Sequence, residues 1–233
     1  MISERKFSNS FSSFWNEILP TADSFVRRMN LSLERYCPPT ESVLETDRDR
    51  RSVINELSFR LFMNLVKGEK LSFNDKMKLS VEVSNYIEKL APNINITLPI
   101  SQEELNEAES LSSSLTEYFS DLEIKKLMFW PVFKGCGRIH RCKGDIISND
   151  KLIEVKAGDR HFRITDIRQI ITYLSLNSIS KQYVLEHIAL VNPRNGLSFE
   201  TTVENLIEDC SRRKPVDVFG DIIDFLSTEG LST

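Results

Sequence analysis

The chain has 233 residues, 40% apolar and 27% charged, and its 30 Lys and Arg against 34 Asp and Glu give a formal net charge of -4. That length suits one large domain or two small ones with a core that needs no disulfide or structural metal, which argues against disordered, collagen-like and disulfide-framework chains. No apolar run approaches the ~18 residues of a membrane span, the opening MISERKFSNSF lacks a signal-peptide stretch, and Cys37, Cys136, Cys142 and Cys210 form no C-x-x-C pair, so a cytoplasmic protein with reduced thiols and no membrane association is expected.

The overall charge conceals an asymmetry. Residues 81–123 hold nine acids and one Lys, whereas residues 134–170 hold nine bases against five acids, and residues 200–233 return to eight acids against three bases. Screening confines each charge to a Debye length of ~10 Å, so the basic middle segment governs encounter with a polyanion more than the total does.

In chain order, apolar residues recur at three and four along Ile54, Leu57, Leu61, Phe62 and Leu65, and again along Leu105, Ala108, Leu111, Leu115, Phe119 and Leu122, which predicts helices. A third helix is expected over 77–90. Two prolines in 91–99 interrupt this pattern, and Ser101 with Glu104 offers a capping box for the next helix. A boundary near 92–100 therefore divides a helical N-terminal region, 1–100, from a second domain, 101–233. From about 127 short β-type runs take over, at 127–133, 145–148, 152–155 and 183–191, broken by one helix from Thr165 or Asp166 to about Leu176. The turn signal Asn192-Pro-Arg-Asn-Gly196 precedes two more helices, at about 201–212 and 216–227.

The chemistry concentrates in residues 144–156, GDIISNDKLIEVK. Asn149-Asp150 suits a tight type I′ hairpin, and a two-residue loop there sets Ser148 opposite Lys151 and Asp145 opposite Glu154, with Cβ atoms roughly 5 Å apart. Lys156 shares that face. Two carboxylates so close repel unless a cation lies between them, and hard oxygen ligands suit Mg²⁺ or Mn²⁺. An ammonium beside the ion can hold the attacking water, which is the equipment for phosphodiester hydrolysis. In the next helix Gln169 and Tyr173 lie four apart on one face and can point back at the hairpin, to orient a ligand or to contact a phosphate.

Asp145, Glu154-Val155-Lys156 and Gln169-x-x-x-Tyr173, each in order and in its element, resemble the PD-(D/E)XK nuclease superfamily, and the Gln-x-x-x-Tyr helix resembles its RecB-like branch. The run 131–139, PVFKGCGRI, is similar to the strand and loop at which such domains begin. The resemblance covers about residues 115–195. It implies an α/β (mixed α+β) fold, a restriction-endonuclease-like core with a central mixed sheet flanked by helices in the order α-β-β-β-α-β, after the N-terminal helical region. It also implies that Asp145, Glu154 and the Val155 carbonyl bind Mg²⁺ (or Mn²⁺), that Lys156 positions or activates water, and that Gln169 and Tyr173 complete the catalytic set. Gly144 stands where the motif often has Pro. Relatives often add an acid from the helix before the first strand. Glu117 is the nearest candidate for that metal ligand, although at 100° per residue it falls about 200° from Leu115, off the apolar stripe. With Cys210 the one late cysteine, no iron-sulfur cluster is expected.

Lys143, Arg160, Arg163 and Arg168 surround the segment and are candidates for contact with DNA phosphates. His140 and His161 lie in the adjoining loops, and Arg194 sits in a turn. The expectation is a metal-dependent deoxyribonuclease acting in DNA repair, recombination or antiviral defence, with DNA, an ATPase or helicase, or a second copy as partners. The alternative is a catalytically silent module of the same fold that binds DNA or a protein.

Overall fold

The spacing of three and four becomes helix in each segment where it occurs. The computed structural model describes residues 1–42, 48–90 and 98–228; residues 91–97, most of the expected boundary, lie outside the described residues. Helices α4 (Arg48–Val66), α5 (Phe73–Leu90) and α6 (Gln102–Ser120) bury Val53, Ile54, Leu57, Leu61, Val83, Leu105, Ala108 and Leu111 against one another. Ser101 accepts the Glu104 N–H at 3.2 Å and the Glu104 carboxylate accepts the Ser101 N–H at 2.7 Å, the expected capping box. Ahead of them run α1 (Glu4–Asn9), α2 (Ser12–Ile18) and α3 (Ala22–Leu31). Phe7 and Trp15 are fully buried at their junction, and the indole N–H is satisfied by the Phe7 carbonyl at 3.0 Å.

The second half is a mixed sheet flanked by helices. Its strands are β1 (Glu34–Arg35), β2 (Leu127–Phe129), β5 (Ile146–Ser148), β6 (Lys151–Val155), β7 (His187–Asn192) and β8 (Leu197–Thr202), in the order β1-β8-β7-β6-β5-β2. A two-stranded sheet of β3 (Val132–Phe133) and β4 (Cys142–Lys143) lies beside it. Every neighbouring pair is antiparallel except β6–β7. A parallel pair needs a crossover, and α7 (Ile164–Ser180) supplies it. Helices α8 (Val203–Ser211) and α9 (Pro215–Ser227) follow.

Alternation sorts the sheet into two faces. Ile147, Leu152, Ile188 and Leu190 pack with residues of α1–α3, α7, α8 and α9, whereas Ile146, Ile153, Ala189 and Val191 pack under Phe59 and Phe62 of α4 and Leu115, Tyr118 and Phe119 of α6. Segments from both sides of residue 100 thus build the sheet and its two covers, and β1 joins the sheet through Glu34 opposite Ser198.

Four details differ from expectation. The run 127–133 breaks in two because Trp130 takes φ 53 before Pro131, which turns the chain out of the large sheet. The strand expected from 183 begins at His187, because the Asn177 side chain occupies both the N–H and the carbonyl of Tyr183, at 3.0 and 2.8 Å, and withholds them from the ladder. The residues after Gly196 first form β8, which pairs with β7 along its whole length before α8 starts. In the hairpin the register is the expected one, Ser148 opposite Lys151. Of the two turn residues, however, Asn149 alone has positive φ, 56°, so the turn is not type I′. The Asn149 side chain instead reaches back to the α6–β2 loop, accepting the N–H groups of Lys125 and Lys126 and donating to the Glu123 carbonyl.

The turn residue Arg194 is buried and joins the helices to the loop after β6. Its guanidinium donates to Glu107 of α6, to Ser42, to Asn55 of α4 at 2.9 Å and to the Ala157 carbonyl at 2.8 Å, and lies 3.3 Å from Asp159. Asn192 holds the same loop through the Gly158 carbonyl at 2.9 Å. Removing one partner of a buried pair costs ~3–5 kcal/mol. Arg194→Met should lose about that much stability in denaturant unfolding, whereas a change within ~0.5 kcal/mol would mark Arg194 as an ordinary loop residue.

Candidate functional site

The hairpin register turns Asp145 and Glu154 to the face covered by α7, the same face as Ile147 and Leu152. Asp145 is half-buried, and its Oδ2 accepts the Val155 N–H at 2.8 Å. Glu154 is 1% exposed. Its Oε1 accepts Lys156 Nζ at 2.8 Å, while its buried Oε2 has no hydrogen-bond partner among the described residues. Lys156 also donates to Gln169 Oε1 at 2.7 Å. The Gln169 amide donates to the Tyr173 oxygen at 2.9 Å, and the Tyr173 hydroxyl donates to the Lys143 carbonyl at 2.9 Å. The Tyr173 ring stacks on Phe133, with centroids 4.9 Å apart. One hydrogen-bonded chain therefore runs from Glu154 through Lys156, Gln169 and Tyr173 to the second sheet. Gln169 and Tyr173 are buried within it, so they orient Lys156 and present no surface to a substrate.

Burial first, then the charge of Glu154, pushes the Asp145 carboxyl up to about 7, against the opposing influence of Lys156, the Val155 N–H and Arg5. Burial, followed by the charges of Glu154 and Glu4, pushes the Tyr173 phenol up as well, so it stays a neutral donor. These features fit a hard divalent cation. Two carboxylates stand together under partial desolvation, and one buried carboxylate oxygen lacks a donor among the described residues. Asp145, Glu154 and the carbonyl of Val155, whose N–H Asp145 holds, are the oxygens that would bind it.

Glu117 does not join them. It is exposed on α6, the helix over the opposite face of the sheet, and the two-residue period of β5 and β6 directs Asp145 and Glu154 away from it. The acid nearby on the correct face is Glu4 of α1, 13% exposed, whose charge together with burial raises both Tyr173 and Cys142. Beside it, Arg5 is solvent-exposed. Desolvation opposes its charge, but Glu154, Asp145, Tyr173 and Glu4 hold its guanidinium above the ordinary value. The bridge of Ile2 to Ile139 and the buried Phe7 fix α1 there. Neither residue carried a sequence signal, because each lies some 140 positions before the hairpin.

The cations expected around the site differ in accessibility. Lys143 and Arg163 are exposed, and so are His140 and His161. Arg160 is half-buried and paired with Asp166. Arg168 is 6% exposed, with its guanidinium 5.7 Å from the Trp15 ring centroid and bonded to Asn16, so it is a packing residue that cannot reach a phosphate. A further group of Asp150, Glu186 and His187, with candidate ligand atoms within 4.8 Å of one another, sits at the opposite, turn end of β6. Pairing of β6 with β7 brings it together, and sequence spacing did not reveal it.

A carboxyl raised in the folded chain favours folding below its unfolded value of ~3.9, and that contribution is lost as pH climbs through about 7. In EDTA, Asp145→Asn should therefore gain stability over the wild type as pH rises, with a clearly larger advantage at about pH 8 than at about pH 5. Denaturant midpoints at the two pH values measure this, and an equal difference at both would refute it.

Compared with protein-family models, curated proteins and solved structures, the chain matches none.

Proposed function

We propose that the chain is a Mg²⁺- or Mn²⁺-dependent deoxyribonuclease of the PD-(D/E)XK superfamily, RecB-like branch, hydrolysing phosphodiester bonds of DNA in a cytoplasmic setting. The observation that carries this reading is the Asp145–Glu154 pair, one of whose carboxylate oxygens has no partner among the described residues, beside a lysine fixed by a buried amide and phenol. The four cysteines are unpaired, as a reducing compartment requires, and no helix among the described residues is long and apolar enough to cross a membrane.

A divalent cation on Asp145, Glu154 and the Val155 carbonyl would offset charge on the phosphate and acidify a bound water. The protein's own part is positional. Lys156 has three N–H donors; among the described residues Glu154 and Gln169 accept two, and the third, on an ammonium 4.0 Å from Asp166 Oδ1, would orient a water or a phosphate oxygen. Tyr173 keeps the Gln169 carbonyl turned to Lys156 by receiving the amide's N–H. The site lies at the carboxyl ends of the parallel strands β6 and β7, where ligands of α/β sheets commonly bind. Arg5, Lys143 and Arg163 are exposed cations for the DNA backbone.

Lys156→Ala should reduce nicking of supercoiled DNA in Mg²⁺ by ~10²–10⁴-fold with the fold preserved. Asp145→Ala should abolish nicking. Equal nicking by the wild type and both variants would overturn the proposal. Binding that survives EDTA, with no cleavage of any nucleic acid, would favour a silent DNA-binding module. Tyr173→Phe retains the stack on Phe133 but loses the hydroxyl, so it should cost ~1 kcal/mol of stability and lower cleavage without abolishing it; unfolding and rate assays on one preparation read both.

A further inference from the structure

Asp166 is one carboxylate shared by two cations. Its Oδ2 accepts Arg160 Nη1 at 2.7 Å and its Oδ1 accepts Nη2 at 2.9 Å, while Oδ2 also takes the Arg163 N–H at 2.8 Å. Lys156 Nζ lies 4.0 Å from the same Oδ1. Capping α7 explains the Arg163 bond alone. A cap needs one acceptor and is usually solvated, whereas this carboxylate is almost fully buried, which is costly unless it is paired.

The pairing leaves a specific part of Arg160 open. Guanidinium carries five N–H donors in a planar fork. Asp166 takes the end formed by Nη1 and Nη2, and the second Nη1 hydrogen goes to the His161 carbonyl at 2.9 Å. The side edge, Nε and the outer Nη2 hydrogen, meets no acceptor among the described residues, and the side chain is 35% exposed. Two parallel N–H groups on an anchored plane match two oxygens of a phosphate. Arg160 Nη2 and Lys156 Nζ both approach Asp166 Oδ1, so the fork stands one shared carboxylate away from Lys156. We propose that Arg160 binds a DNA phosphodiester group through its Nε–Nη2 edge, and that Asp166 is the positioning residue that presents it.

The inference rests on the nuclease reading for its location but is tested by binding alone. Anisotropy of a fluorescein-labelled DNA duplex is measured in EDTA across a salt series, for the wild type, Arg160→Gln, Arg160→Lys, Asp166→Asn and the double variant Arg160→Gln/Asp166→Asn. Arg160→Gln should weaken binding about tenfold and lower the slope of log affinity against log salt by about one. Arg160→Lys keeps the charge and should recover the slope but not the affinity, because the fork is lost. Asp166→Asn retains an oxygen for the Arg163 cap and should weaken binding as Arg160→Gln does, with the double variant no worse than either single one. A salt slope unchanged in Arg160→Gln, additive losses in the double variant, or no DNA binding by the wild type would each overturn the fork. Binding losses as described in a protein that cuts nothing would support the fork and sink the nuclease reading. Cleavage by a protein whose Arg160→Gln binding is unaltered would do the reverse.

Discussion

The connection of two residues between Ser148 and Lys151 determines which face of the sheet carries charge. With that register, Ile146 and Ile153 go under α4 and α6, and Ile147 and Leu152 go under α7. A slip by one residue would exchange the sets and drive Asp145 and Glu154 into Phe62, Leu115 and Phe119, where neither carboxylate has a partner. Both apolar faces therefore enforce the arrangement that holds two like charges together. Asn149 adds a local lock, since its amide binds three backbone groups of the preceding loop and keeps the hairpin tip from shifting.

Given that register, the site is a compromise between burial and charge. Glu154 has exchanged water for one ammonium, its second oxygen has no donor among the described residues, and Asp145 is made harder to ionise. Helices on either side supply the relief: α7 contributes Gln169 and Tyr173 to hold Lys156, and α1 brings Arg5 to the mouth. A cation bound as proposed would relieve the same repulsion that makes Asp145 harder to ionise.

The parts legible in the sequence were those set by neighbours along the chain. The Ser101–Glu104 box, the stripe from Leu105 to Phe119, the hairpin pairing and the shared face of Gln169 and Tyr173 follow from spacing, and spacing is local. What escaped was set at a distance. Arg168 reads as a surface cation until α2 lays Trp15 over it, and Arg194 reads as a turn residue until Glu107 and Asn55 arrive from helices far upstream. Glu117 reads as a ligand candidate because it precedes the hairpin, but the pleat decides which helix faces the carboxylates, and that face belongs to α1 and α7. β8 was missed because its six residues lie directly after a turn and before a strong helix.

Arg194 has a consequence for inheritance. Glu107 and Arg194 are 87 positions apart and sit on separate elements, yet each is buried against the other, and the Ala157 and Asp159 contacts tie the pair to the loop behind Lys156. Changing Arg194 takes the buried guanidinium from Glu107, and changing Glu107 leaves Arg194 its weaker contact with Asp159, so a compensating change at the other position eases substitution at either. The helices over 48–120 are thus not an ornament that recombination can exchange freely. A replacement segment must bring its own acceptor for the guanidinium, and the two stretches of chain are expected to travel through descent as one character.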